Sequence, residues 1–465
     1  MTALEKSTRR KLFYGMVALF AVIAPLTLLY SRGYSIDFQD WGLAATGGVF
    51  VKTVQPGAKI FVGDELYTET SFISHGALIS NLIPRRYTIR VEKEGFRSWQ
   101  KLIQVPEQEV VEFRRVFLPP ATVTPAVVFR SPATALRRVY ELRGQPEIAI
   151  EVGEPSQPST VLIVDGESGE TRLTLSRVSR WFWDAESHSF IVGRAQAGGR
   201  MRWYRTPFGA GSPGGETRLT FRGLPSSFTA DSVWPHPANE NEFYFFAGGS
   251  LFLQGLSSVP VPIAEQIHSY AVANDHIYFV SRNGFFVGSD LDGQNVQILG
   301  RKGLFLDDRD PAKIISSPAG DILVMDSAGG LFIYQPGRDQ ELDTVIGNIR
   351  GVDFSREGDR ALLWDEHRVL VFWLRDNPDQ PFDLARSRRQ IFTTEEPIEQ
   401  AFLNAAGTHV FLLAGNAITM TEVDDRGGAN SYTLVADAAR GLAMERSDPR
   451  LYWLEGARVL RATLK

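Results

Sequence analysis

Gly169-Glu170-Thr171-Arg172-Leu173-Thr174-Leu175 returns as Gly215-Glu216-Thr217-Arg218-Leu219-Thr220-Phe221, 46 residues further along. Around these two copies, short apolar segments recur at a similar step. They are Ile148-Ala149-Ile150, Phe190-Ile191-Val192, Phe243-Tyr244-Phe245, Ile277-Tyr278-Phe279, Ile322-Leu323-Val324, Ala361-Leu362-Leu363, Val410-Phe411-Leu412 and Leu451-Tyr452-Trp453. Between Ile148 and Leu451 the mean step is about 43 residues. Turn signals precede several of them, as in Ser317-Pro318-Ala319-Gly320-Asp321, Ser355-Arg356-Glu357-Gly358-Asp359 and Asn404-Ala405-Ala406-Gly407. Strands this short, repeated every 40–50 residues, predict a β-propeller with four strands per blade. Residues 133–465 hold it; eight blades fit best and seven next. The last blade, from Gly441, has room for about three strands, and Ala126-Val127-Val128-Phe129, within the Pro-rich linker 120–132, is placed to supply the fourth and close the ring.

The repeat resembles the WD-type and TolB-like propellers, whose blades carry a similar Ser-Pro-Asp-Gly turn. The motif is degenerate, so the resemblance speaks to fold and hardly to function.

Working back from the repeat, residues 47–119 read as a separate β unit. Val49-Phe50-Val51 and Ile60-Phe61-Val62 flank the turn Pro56-Gly57-Ala58, and Gly63-Asp64 is a second turn. Tyr87 to Val91 alternates, Glu94-Gly95-Phe96 breaks the pattern, Trp99 to Val105 resumes it, and Val110 to Leu118 ends at Pro119-Pro120. This unit resembles the PEGA domain, on Gly48, Val51, Pro56, Gly57, Ala58, Leu82, Pro84, Tyr87, Glu94, Gly95, Phe96 and Trp99. It departs from the family in having Pro directly before the glycine, a reversed Gly63-Asp64 turn, and Arg85-Arg86 where a glycine is usual. The resemblance implies structural roles for Pro56, Gly57, Ala58, Tyr87, Gly95, Phe96 and Trp99, no catalytic residue, and a bacterial surface adhesion, wall-binding or spacer module.

Leu12 to Tyr30 contains no charged residue. Those 19 residues, as a helix rising 1.5 Å per residue, span about 28 Å, close to the ~30 Å hydrocarbon core of a bilayer. The expectation is a single-pass anchor over 12–30, carried by Leu12, Leu19, Phe20, Ile23, Leu26, Leu29 and Tyr30. Arg9, Arg10 and Lys11 would hold the 1–11 tail in the cytoplasm, and the body would lie outside the cell membrane beyond a short joint, 31–46. A cleaved signal peptide is the rival reading, disfavoured by Pro25 directly after Val22-Ile23-Ala24.

The chain has no cysteine, which excludes disulfides, thiolate metal sites and a cysteine nucleophile. Its net charge is −5; the tail 1–11 carries +3, so the remainder carries −8, a poor balance for a nucleic-acid partner. No Gly-x-Ser-x-Gly elbow, Walker loop or dinucleotide fingerprint is present, and Gly211-Ser212-Pro213-Gly214 has the wrong spacing for the first. The seven histidines show no His-x-x-x-His pair. Asp290-Leu291-Asp292-Gly293-Gln294-Asn295 starts like a calcium loop and then loses the ligand spacing. Asp307, Asp308 and Asp310 form the densest acidic group and are the weak metal candidates; a solvated loop is the simpler reading. Trp181, Trp183, Trp203, Trp234, Trp364 and Trp373 suit either packing between blades or a carbohydrate platform. Arg386, Arg388 and Arg389 make a basic loop.

These features predict a mainly β, non-catalytic binding or scaffold protein of the cell surface, with no catalytic residues, no cofactor and no metal. Its propeller would face a surface protein or cell-wall glycan. The alternatives are a hydrolase or lyase with its site at the central channel, or a sensor or assembly factor acting through the helix.

Overall fold

A computed structural model describes residues 6–31, 33–37, 42–131, 135–154, 157–185, 187–209, 215–224, 228–256, 258–300, 303–437, 439–445 and 450–464. The Gly211 to Gly214 segment lies outside them, as do the side chains of Arg9, Leu26, Leu29 and Tyr30.

An α-helix runs over Lys6–Ser31. The expected membrane anchor on Leu12, Leu19, Phe20, Ile23, Leu26, Leu29 and Tyr30, oriented by Arg9, Arg10 and Lys11, is not supported. Among the described residues no helix is long and apolar enough to cross a membrane. The helix begins at Lys6, so its first turns take in the cations, and Gly15, Pro25 and Thr27 interrupt the apolar part that follows. The cell-membrane localisation, with a cytoplasmic tail and an extracytoplasmic body, falls with the anchor. After the helix, Tyr34–Asp37 pairs with Gly42–Ala45, and Thr46 N–H donates to Gly33 O at 2.6 Å.

Two small sheets follow. Gly76–Leu82, Gly47–Thr53 and Val110–Val116 form one, the last pair running parallel. Glu65–Glu69, Lys59–Val62, Arg86–Glu92 and Trp99–Gln104 form the other. Their facing side chains, among them Val49, Val51, Ile60, Ile89, Val91 and Trp99, bury a common core. Gly57 and Gly63 turn the chain at φ of +68° and +63°.

The rest is mainly β, as the spacing predicts. Eight four-stranded antiparallel sheets succeed one another among the described residues. Numbered in order, they span 136–178, 180–218, 232–264, 267–300, 313–346, 351–393, 398–435 and 440–463. The eighth takes its fourth strand from Ala126–Arg130, which pairs antiparallel with Arg458–Thr463. Each consecutive pair of sheets shares a cluster of buried apolar side chains. A further cluster joins the eighth sheet to the first, through residues such as Tyr452 and Ile150. The sheets therefore form a closed, propeller-like ring held by apolar seams, each fully buried side chain contributing about 1.5–3 kcal/mol. The seams are unequal: the one between sheets 3 and 4 holds six buried residues, and the one between sheets 7 and 8 holds fourteen, Phe117 included. Phe117, from the end of the small domain, belongs to that thickest seam.

All eight apolar segments that mark the repeat fall in the second strand of a sheet. Such a strand has one neighbouring strand on each edge and a neighbouring sheet on each face, so both sets of its side chains are buried. Its sequence is then a continuous apolar run.

Candidate functional site

The turn signals build the site locally. In sheet 6, Ser355 Oγ donates to Asp359 and accepts from Arg360 N–H at 3.3 Å. Arg360 returns to Asp359 at 2.6 Å and reaches Gly407 O in sheet 7 at 3.1 Å. In sheet 7, Asn404 Oδ1 accepts from the N–H groups of Thr408 and His409 at 2.8 and 3.0 Å. Ser355 with Arg360 N–H, and Asn404 with Thr408 and His409 N–H, are side chains bonding backbone a few residues on, the chemistry that favours Ser and Asn in turns. These turns join first to second strands. The segment 374–387, joining the third and fourth strands of sheet 6, and 423–430, doing the same in sheet 7, emerge at the same end of the ring.

The small domain sits on that end. Its strand Trp99–Gln104 alternates buried and exposed, so Trp99, Lys101 and Ile103 point inward. Lys101 Nζ lies 3.0 Å from Glu422 Oε2, with their side chains 0% and 6% exposed, and donates to Asp424 O at 2.5 Å. Glu422 also accepts from Trp99 Nε1 and from Asn430 N and Nδ2, both at 3.1 Å. Tyr432 OH donates to Ser98 O at 2.9 Å, and Leu102 N–H to Gly427 O at 3.2 Å. Gln380 accepts from Glu112 N–H and donates to Val110 O, both at 3.0 Å. Arg426 reaches Glu112 O at 2.8 Å and lies over the Phe113 ring at 4.5 Å.

Between the two domains this contact leaves a cavity of about 240 Å³. Its walls are Trp99 and Phe113 from the small domain and Trp373, Asp383, Thr408 and His409 from sheets 6 and 7. Three buried polar atoms of that wall have no partner among the described residues: Trp373 Nε1, Asp383 Oδ2 and His409 Nε2. Burial holds the His409 imidazole below its ordinary pKa, with Lys101 adding to the effect and Glu422 opposing it. Burial pushes the Asp383 carboxyl up, against the pull of Arg389. The carboxylates are matched: Arg389 pairs with Asp383 at 2.5 Å, Arg426 with Asp424 at 2.7 Å, and Arg114 with Asp379 at 3.4 Å.

The sequence-derived candidates lie elsewhere. Asp307 and Asp310 face each other across an isolated bridge, with Lys313 3.7 Å from Asp310. Asp308 stands 3.7 Å from His268 Nε2. Among the described residues no three His, Asp or Glu side chains gather as metal ligands. Asp290 accepts from Gln294 N–H at 2.6 Å and Asn295 Nδ2 at 3.0 Å, with Gly293 at φ +73°, a tight turn. The tryptophans are dispersed: Trp181 and Trp183 pack between sheets 1 and 2, Trp203 between 2 and 3, Trp364 and Trp373 between 6 and 7. Strand alternation divides them among three separate seams, so they form no shared platform. Arg386 and Arg389 are ion-paired, and Arg388 donates to Val345 O at 2.6 Å. The residue missed by sequence reading is Lys101. Its signal was available, because Trp99-x-Lys101-x-Ile103 puts a lysine in register with apolar neighbours, where a cation needs an anion.

Residues 46–119 are a PEGA domain. Its Pro56, Gly57, Ala58, Tyr87, Gly95, Phe96 and Trp99 lie in strands, turns and core of the small domain, and Trp99 alone among them also reaches the ring. No curated protein matches the chain. Solved structures of similar fold include the Myceliophteria thermophila Cps50 (Swd1) beta-propeller domain, at 13% identity and TM-score 0.44, covering 74% of this chain and 100% of that chain. Another is Saccharomyces cerevisiae Sqt1, at 12% identity and TM-score 0.47, covering 72% and 98%.

Proposed function

We propose that this chain is a non-catalytic interaction scaffold: an eight-bladed propeller with the PEGA domain fixed on one face and a protein partner bound on the other. The observation that carries this is the asymmetry of the two faces. The PEGA domain engages turns at one end of blades 6 and 7. The opposite end, where second strands turn into third strands, carries Phe285 and Phe305, 37% and 59% exposed. Leu304 N–H bonds Gly284 O at 3.4 Å, so the two aromatics stand on adjacent segments. Asp307, Asp308 and Asp310 follow directly. Exposed aromatics beside acidic side chains suit a protein partner offering apolar and basic groups.

The test is chemical cross-linking in cells that make the full chain, followed by mass spectrometry, comparing wild type with Phe285→Ala/Phe305→Ala. A discrete protein cross-linked to blades 4 and 5, and lost in the variant, is expected. Equal capture by both chains contradicts the reading.

A further inference from the structure

We infer that the cavity between the PEGA domain and blades 6 and 7 is a binding site for one ring of a neutral, polyhydroxylated ligand, a sugar unit. This goes beyond the scaffold reading and does not rest on it. Three observations meet here. First, the wall holds a buried indole N–H, a carboxylate oxygen and an imidazole nitrogen, all unpartnered among the described residues. Leaving such groups unmet is costly, so the cavity is built to receive something polar. A hydroxyl both donates and accepts, and neighbouring hydroxyls satisfy Trp373 Nε1 and Asp383 Oδ2 together. Second, the charges of the wall are matched. Lys101, Arg360 and Arg114 in the wall, and Arg389 and Arg426 behind it, each hold one of its carboxylates, leaving Glu357 and Arg115, one of each sign. Every other wall charge has its own counter-ion, so no cluster of unpaired charges of one sign selects an ion. Third, Pro378, Pro381, Ala405 and Ala406 give the same wall open apolar surface for the C–H faces of a ring, with Trp99, Phe113 and Trp373 packed behind it. A volume of about 240 Å³ takes one compact ring and falls short of the roughly 300–1,000 Å³ of sites for larger ligands.

The experiment is saturation-transfer NMR on the full chain. The probes are glucose, N-acetylglucosamine and maltotriose, against glucuronate and glucosamine as charged counterparts. The neutral sugars receive saturation, and in maltotriose a terminal ring receives most of it, whether the natural source is a free sugar or a chain end. Trp373→Phe removes the N–H and weakens binding about tenfold, the weight of one buried hydrogen bond. Ala405→Leu, which fills the cavity from the blade 7 turn, abolishes it. Trp234→Phe, on an exposed tryptophan of blade 3, leaves it unchanged. The inference is overturned by transfer to none of the neutral sugars, by transfer only to the charged ones, or by transfer spread evenly along maltotriose. It is equally overturned if the signal survives in both a folded Ala405→Leu chain and Trp373→Phe.

Discussion

Lys101 of the PEGA domain and Glu422 of the seventh sheet form an ion pair at 3.0 Å, sealed from water. Removing one member of such a pair strands a buried charge, at a cost of about 3–5 kcal/mol. Lys101→Met and Glu422→Met are each expected to destabilise the chain by that order. Glu422→Met is the worse, since Trp99 and Asn430 lose their acceptor too. The double variant loses less than the sum of the two single losses, because neither charge is stranded in it, although Trp99 and Asn430 still lack their acceptor. Urea denaturation of the four chains completes the cycle; additive losses would remove the pair from the account.

A second prediction concerns pH. His409 is buried, and its pKa is lowered from 6.5. Above that value both folded and unfolded imidazoles are neutral and nothing is lost. Below it the unfolded chain binds a proton that the folded chain resists, so stability falls as the pH drops from 6.5 toward the folded pKa. Asp383, raised by burial, acts in the opposite sense at more acidic pH. Unfolding free energies measured between pH 7 and 5 decline, and His409→Leu flattens the decline; parallel slopes in the two chains would argue against it.

Gly427 is at φ +67°, and a Cβ there would stand 2.5 Å from Leu102 O. Gly427→Ala therefore meets backbone strain and a clash against the PEGA strand at once. A destabilisation of about 1–3 kcal/mol is expected, read as a lower urea midpoint. An unchanged midpoint would mean that the two backbones can part without cost.

Ring closure gives a fourth prediction. Deleting residues 458–465 removes the third strand of the eighth sheet and leaves Ala126–Arg130 without its partner. The seam through Val459, Tyr452 and Ile150 opens with it. The shortened chain is expected to be cut rapidly in limited proteolysis at residues well away from the deletion, as ring seams are lost in turn. Cleavage confined to the eighth sheet would show that the ring does not depend on closure.

Much of the ring was legible because second strands are buried on both faces, so Ile148, Phe190, Val410 and Leu451 each sit in a continuous apolar run. Among the fourth strands, Thr171–Val178, Thr217–Arg218 and Ala126–Arg130 were also legible, but others such as Gln297–Gly300, and first strands such as Lys313–Ser316, were not, since channel and rim positions mix polar and apolar residues. The PEGA domain was legible from its turns, although Glu65–Glu69, whose Leu66 and Tyr67 are exposed, and Gly76–Leu82, which buries only Ile79 and Leu82, gave little signal. The apolar run from Leu12 misled because Arg9, Arg10 and Lys11 were read as a tail flanking the helix, whereas the helix begins at Lys6 and includes them. The cavity was invisible for another reason: Trp99 and Glu422 meet across 323 residues, and Trp373, Asp383 and His409 come from a strand, a loop and a strand edge of two different sheets. Only the lysine in register with Trp99 and Ile103 hinted that something acidic had to cover that strand.

The central claim is that the PEGA domain and the ring form one fixed frame. Because the chain lacks cysteine, spin labels can be placed by Asp64→Cys in the PEGA domain and Glu395→Cys in the connection between the sixth and seventh sheets. A pulsed dipolar distance measurement then reads the frame directly. The account predicts a single narrow distribution that broadens when Lys101→Met is added. A broad or multiple distribution in the labelled chain with Lys101 intact would contradict it.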